Sequence, residues 1–158
     1  MNPNIPLIVG IGNPLMGDDG IGPYVIEKLQ EKHPDWEFLE LHTPGYTILS
    51  YIQEKKSLIL VDAADFGGKP GEIRRVKREQ VQSIKEPCSL NLHGADILTV
   101  LENAPSWGIF IDNVILYCIQ IESIHPGHSL SHLLKASAIE VISSIERDML
   151  NFRMQAIS

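Results

Sequence analysis

The sequence predicts an α/β protein: a three-layer α/β/α sandwich around a mostly parallel, twisted sheet of about five strands, with one antiparallel edge strand. Three observations carry this. Unbroken apolar runs rich in β-branched residues occur at Leu7-Ile8-Val9, Ser57-Leu58-Ile59-Leu60-Val61 and Asn113-Val114-Ile115-Leu116-Tyr117-Cys118-Ile119, the pattern of strands covered on both faces. Helical periodicity separates them, as at Ile21, Val25 and Leu29. Residues 62–71 are turn chemistry without a helical period, too short for a crossover helix. The strand that follows, Glu72-Ile73-Arg74-Arg75-Val76, must therefore return antiparallel at or near an edge.

Taken in order, the first strand opens onto a turn containing Gly10, Gly12, Gly17, Gly20 and Gly22. Pro23 suits the first turn of a helix over 23–33, where its missing N–H loses little, and Pro34 stops that helix. Trp36 to Leu41 reads as the second strand. Thr43 is then an N-cap with Pro44 at the first helical position, starting a helix through about Lys55 that turns Ile48, Leu49 and Ile52 inward. The third strand ends at Asp62. Residues 77–91 are polar and irregular, and His93 through Asn103 is a helix ended by Pro105. Ile109-Phe110-Ile111 joins the last strand region across a turn at Asp112-Asn113. Leu134, Ala138, Val141, Ile142, Ile145, Met149 and Phe152 mark a long C-terminal helix. Strand one is expected near the middle of the sheet beside strand three, so that Asp19 and Asp62 emerge on one edge.

The 158 residues, 44% hydrophobic and 21% charged, describe one globular domain spanning 1–158. A net charge of −7 argues against nucleic acid and permits cationic or metal-bearing partners. Cys88 and Cys118 have no CxxC spacing, so neither a disulfide framework nor a zinc ribbon is implied; Cys118, inside an apolar run, reads as a buried thiol. No apolar stretch is long enough to span a bilayer and no signal-peptide pattern opens the chain. A cytoplasmic protein without membrane insertion is expected.

The chemistry concentrates at the ends of strands one and three. Gly10-x-Gly12 is not a dinucleotide fingerprint, because Leu15 stands where a third glycine is needed and two adjacent carboxylates would repel a pyrophosphate. A helix cap explains one of Asp18 and Asp19, not both. With Asp62 or Asp65 after strand three and His93 opening a helix, the residue types make a pair of hard carboxylates and one imidazole. Such a set suits a divalent transition metal with positions left open for water or substrate. Other nucleophiles fare worse: Ser57 and Ser89 have no G-x-S-x-G context and Cys88 has no helix-start glycines. His125 and His128 flank a surface Pro-Gly, and His33 and His42 adjoin helix boundaries.

Gly10-Ile-Gly-Asn13-Pro-Leu-Met-Gly-Asp-Asp19-Gly-Ile-Gly22-Pro, Val61-Asp62-Ala63-Ala-Asp-Phe-Gly-Gly-Lys-Pro-Gly71-Glu-Ile-Arg and His93 some thirty residues on together resemble the hydrogenase maturation endopeptidases, nearest the branch serving formate-hydrogenlyase-type enzymes. The resemblance runs through essentially the whole chain. It implies an aspartate-dependent protease that removes the C-terminal extension of a nickel-loaded [NiFe]-hydrogenase large-subunit precursor. Asp19, Asp62 and His93 match the family's metal-contacting and catalytic positions, the nickel being carried by the precursor rather than resident. Gly10, Gly12, Asn13, Thr43 and Gly45 fall in the segments expected to bind substrate, Asp18 and Asp65 beside the metal positions, and a monomer is expected. One departure stands out: many relatives have an acid and paired glycines before the Thr-x-Gly, where this chain has Glu40-Leu41-His42. The alternatives are a related α/β peptidase with another substrate, such as one of germination type, and a non-catalytic nickel-binding chaperone that uses the same three residues.

Overall fold

The computed structural model describes residues 2–43, 45–83, 91–127 and 129–158; Pro44, Cys88, Ser89 and His128 of the reading above lie outside them. In chain order the elements are β1 (Leu7–Ile11), α1 (Ile21–Lys32), β2 (Phe38–Leu41), α2 (Leu49–Ile52), β3 (Ser57–Asp65), β4 (Ile73–Lys77), α3 (Arg78–Ser83), β5 (Asn91–Leu92), α4 (Gly94–Asn103), β6 (Asn113–Gln120) and α5 (His132–Ile157). Short 3-10 turns stand at Gly17–Gly20, Tyr46–Ile48 and Ala104–Trp107. The sheet order is β2-β1-β3-β6-β4. The first four of these run parallel, and β4 closes one edge antiparallel to β6. The two-residue β5 lies antiparallel against the end of β3. No described helix is long and apolar enough to cross a membrane.

The strand period of two divides the core. Leu7, Val9, Ile11, Leu58 and Leu60 face α2 and α4, packing on Ile48, Ile52, Ile97 and Leu101. Ile8, Ile59, Val61, Tyr117 and Ile119 face α1 and α5, meeting Val25, Leu29, Val141 and Ile145. This gives the expected three layers with an antiparallel edge strand. The sheet's centre is β3 rather than strand one, which lies next to it between β2 and β3.

Several boundaries move, each because a distant partner decides it. β1 continues through Gly10 to Ile11, since both its edges are paired that far. β3 runs past Asp62 to Asp65, because Asp62, Ala63 and Ala64 lie opposite Cys118, Ile119 and Gln120. The helix expected over 43–55 shrinks to α2, preceded by a 3-10 turn whose N-cap is Gly45 with no side-chain cap bond. The cap position of that turn is therefore Gly45 rather than Thr43. Trp36 leaves the second strand to stack on His33, ring centroids 3.8 Å apart. Ile109 to Ile111 stay outside β6, where Lys56 O accepts from both Asp112 N and Asn113 N. Within 77–91, Arg78 to Ser83 form α3.

Helix α1 lies on the sheet at backbone distance. A Cβ on Gly22 would fall 2.4 Å from Ile11 O and 2.7 Å from Val61 O, and one on Gly10 would fall 2.6 Å from Gly22 O. Gly22→Ala is therefore expected to destabilise the fold by roughly 1–3 kcal/mol, as overpacking does. Gly45→Ala should stay near wild type, since that position is extended and open among the described residues. Urea unfolding of the two variants measures the difference.

Candidate active site

Beyond β1 the chain folds back on itself. Gly12 has φ +134°, and a Cβ there would stand 2.0 Å from Asp19 O, so only glycine lets the strand end meet the returning turn. Asn13 N–H donates to Asp19 Oδ2 at 2.8 Å, and Asn13 Oδ1 accepts from Leu15 N at 2.9 Å. One oxygen of Asp19 is thus fixed by the turn itself, while Oδ1 is buried with no hydrogen-bond partner among the described residues.

Asp62 sits inside the sheet, opposite Ile11 on β1 and Cys118 on β6. It shares a face with Leu60 and Ala64, the side covered by α4. His93 is the N-cap of α4; its carbonyl accepts from Ile97 N, and its side chain makes no cap bond. The ring is left to turn toward the carboxylates, with Nδ1 3.4 Å from Asp62 Oδ1 and 3.7 Å from Asp19 Oδ1. One ligand atom from each of Asp19, Asp62 and His93 lies within 4.8 Å of the others. Asp62 Oδ2, like Asp19 Oδ1, is buried and unpartnered among the described residues.

Burial pushes the Asp62 carboxyl up to about 6, against the pull of the His93 hydrogen bond and with help from Asp19. The Asp62 hydrogen bond holds His93 above its ordinary value, outweighing desolvation of the ring. Two carboxylates with one free oxygen each and one imidazole make a donor set that fits a divalent transition metal, three protein ligands leaving further positions open. Asp19 and His93 open into a cleft of about 390 Å³ shared with Asn13, Met16, His42, Thr43 and Ile124.

The remaining candidates fall in different places. Gly10 is buried against Gly22 and Ile26, and Gly12 against Asp19, so both supply packing room behind the cleft rather than its wall. Gly45 is extended at the start of the 3-10 turn. Asp18 points away from the site: its carboxylate accepts from Glu122 N, Ser123 N, Ser131 N and Ser131 Oγ at 2.8–3.1 Å. Asp65, three residues beyond Asp62, falls on the other face of β3. Its Oδ1 accepts from Gln120 Nε2 at 3.1 Å. Sequence reasoning passed over Gln120, whose Oε1 accepts from Phe66 N and Gly68 N. A lone amide closing an apolar strand was the available signal.

The family model described as HycI, hydrogenase maturation protease, matches residues 23–148. A Methanocaldococcus jannaschii protein named as a hydrogenase maturation protease is 34% identical over 146 residues, covering 86% of this chain and 92% of that one. The chain belongs to the hydrogenase maturation proteases. It is accordingly a peptidase. The hydrogenase expression/formation protein HoxM of Cupriavidus necator is 30% identical over 138 residues, which is 85% of this chain and 68% of that one. The maturation protease HycI of Thermococcus kodakarensis superposes with a TM-score of 0.68 at 27% identity, covering 92% of this chain and 91% of that one. The Escherichia coli endopeptidase HybD has the same fold, with a TM-score of 0.78 at 24% identity over 92% of this chain and 91% of that one.

Both site groups titrate higher in the folded protein than free in water, so both act in one direction on stability. The stability contributed by the His93 pair is whole below 6.5 and is lost as pH rises through the raised value. The cost of ionising buried Asp62 is absent below 3.8 and is felt as pH rises through about 6. The protein alone should therefore lose thermal stability from pH 5 to pH 8. Asp62→Asn should gain on wild type over the same interval, read as the difference between their unfolding midpoints.

Proposed function

We propose that this peptidase removes the C-terminal extension of a nickel-loaded [NiFe]-hydrogenase large-subunit precursor, and that Asp19, Asp62 and His93 recognise the nickel the precursor carries. The observation that supports this reading is the pair of buried carboxylate oxygens beside His93, Asp19 Oδ1 and Asp62 Oδ2, which have no hydrogen-bond partner among the described residues. Leaving such groups unpaired costs a fold roughly 1–3 kcal/mol each, a cost that a metal-bearing substrate removes on docking. The hydrogenase relatives carry names that speak of hydrogenase maturation and formation, which supports the substrate class.

In this reading the site is a receptor for cargo. Two carboxylates and one imidazole hold a first-row divalent ion less firmly than thiolate-rich sets do, so the nickel stays with its carrier. A bound divalent ion supplies Lewis-acid polarisation to nearby oxygens. The residues of this chain do the positioning: Asn13 N–H fixes Asp19, the sheet fixes Asp62, and the start of α4 fixes His93. The cleft above them leaves room for a peptide segment and a water molecule. Hydrolysis then breaks the peptide C–N bond before the extension. The water oxygen joins the carbonyl carbon and its proton leaves with the amine. The protein acts as a monomer, in the cytoplasm.

The isolated protein should purify largely metal-free and leave ordinary peptides intact. Precursor with nickel should be cleaved, and the same precursor without nickel should not, as followed by mass spectrometry of the processed subunit. His93→Ala and Asp62→Ala should each lower cleavage by more than about 100-fold, beyond the 10–100-fold typical of losing an outer-sphere partner. Asp65→Ala, on the other face of β3, should cost only a few-fold. Full cleavage of nickel-free precursor, or wild-type rates in His93→Ala, would remove the metal from this account.

A further inference from the structure

We propose that an aromatic surface formed by Tyr46, Tyr51, Trp107 and Phe110 docks the folded body of the hydrogenase large-subunit precursor, meeting an apolar, uncharged patch there. The proposal rests on the function stated above. It concerns the body of that substrate rather than the extension that enters the cleft.

The chain has 4 Tyr, 4 Phe and 2 Trp. Those more than half exposed are Tyr46 at 53% and Tyr51, Trp107 and Phe110 at 58% each. All of them fall in two segments, 45–53 and 103–111, neither of which contains Asp, Glu, Lys or Arg. The segments share one layer of the sandwich: Ile48, Ile52, Ala104, Ile109 and Ile111 pack into the same core beneath them. They also meet at the surface, where the Tyr46 and Trp107 rings lie edge to face with centroids 5.4 Å apart. Nearby polar groups turn back on their own backbone, Ser50 Oγ donating to Thr47 O and Asn103 Nδ2 to Thr99 O. Aromatic enrichment with depletion of charge is what sets the core of a protein interface apart from the remaining surface.

The place of this surface selects its occupant. Segment 45–53 begins two positions after Thr43, and segment 103–111 continues from α4, whose N-cap is His93; Thr43 and His93 both line the cleft. A protein whose tail fills the cleft therefore has its body within reach of both segments. The rings are held ready for it. The turn bearing Trp107 closes on Gly108, at φ +76°, whose N–H donates to Pro105 O, and buried Ala104 and Ile109 anchor its two sides. Aromatic side chains have few torsions to freeze, so a pre-packed pair binds at little ordering cost. The exposed apolar residues of α5 are set differently. Ile139 and Met154 stand among Glu140, Arg147 and Arg153, on a helix that covers the other face of the sheet. An anionic lipid surface does not suit segments without Lys or Arg in a chain of net charge −7, because lipid docking draws on basic side chains.

The test is equilibrium binding of nickel-loaded precursor, and of the same subunit truncated before its extension, to wild type, Trp107→Ala, Tyr46→Ala, Trp107→Phe and Ile139→Ala. Trp107→Ala should weaken both complexes about 10- to 100-fold, as for an aromatic anchor at the centre of an interface. Tyr46→Ala should weaken them about 3- to 10-fold, and Trp107→Phe should recover most of the Trp107→Ala loss. Ile139→Ala, exposed on the other layer, should bind as wild type does. At saturating precursor, kcat of Trp107→Ala should equal that of wild type. Unfolding midpoints should stay within about 2 °C of wild type, as for other exposed positions. Unchanged affinity in Trp107→Ala overturns the proposal. So does a loss confined to the extension-bearing form, or an equal loss in Ile139→Ala. A wild-type dimer in sedimentation equilibrium, or binding to phosphatidylglycerol vesicles, that Trp107→Ala abolishes would assign the surface to another occupant and overturn it too. If wild type itself leaves loaded precursor uncut, the proposed function falls and this docking with it. If wild type cuts and Trp107→Ala binds equally well, this docking alone falls.

Discussion

Helix α1 meets the sheet where neither surface carries a side chain. Gly10 on β1 and Gly22 in the first turn of α1 bring backbone against backbone, with Ile11 and Val61 completing the contact. A methyl group at either position would hold the helix away by a fraction of an ångström or more, and protein interiors have little slack to absorb it. The turn between β1 and α1 inherits that constraint. It has to double back within the few residues from Gly12 to Gly20, so Gly12 takes positive φ against the Asp19 carbonyl. Asp19 is delivered over the end of the sheet as a consequence of how closely α1 lies.

The adjacent acids Asp18 and Asp19 do opposite work. Asp18 is saturated, gathering three backbone N–H groups and a hydroxyl from residues 122–131. That pin holds the segment carrying Ile124, which lines the cleft. Asp19 has one oxygen tied by Asn13 and the other without a hydrogen-bond partner among the described residues. The contrast extends to Asp148, which accepts from Arg75 Nε and Nη2 and from the Tyr117 hydroxyl. Burial and the neighbouring carboxylate push that phenol up to about 12. Asp18 and Asp148, buried for structure, are satisfied, whereas Asp19 and Asp62 each keep one oxygen without a partner among the described residues.

Incomplete satisfaction explains why the cluster is held by such rigid elements. Two carboxylates in a low-dielectric pocket repel one another and lose their water, and His93 compensates only in part. Asp62 is locked by strands on both sides, Asp19 by its own turn, and His93 by the first turn of α4. Each is fixed by an element whose stability comes from apolar packing elsewhere, so the unfavourable arrangement persists. His42 and Thr43, which follow the end of β2, complete the rim of the cleft.

Much of this was legible in the sequence. The apolar runs of β1, β3 and β6 and the periodicity of α1, α4 and α5 are local patterns, and period alone separates a strand from a helix. The short link after β3 settled the antiparallel edge strand, because chain length limits what can cross a sheet. The glycine-rich turn with its tandem acids, Asp62 and His93 carried the family resemblance. What the chain could not show locally was decided by partners far along it. Asp62-Ala63-Ala64-Asp65 reads as turn chemistry, yet it is strand because β6 and β5 pair with it. Thr43 reads as a helix cap, yet Gly45 is the extended N-cap of the turn that follows, and the helix begins later. Asp18 and Asp19 are indistinguishable as residue types; Glu122, Ser123 and Ser131, more than a hundred positions away, make Asp18 a structural pin. Propensity and period act over a few residues, whereas hydrogen-bond satisfaction is a property of the folded whole. A carboxylate's role is therefore settled by what the tertiary structure brings to it or withholds.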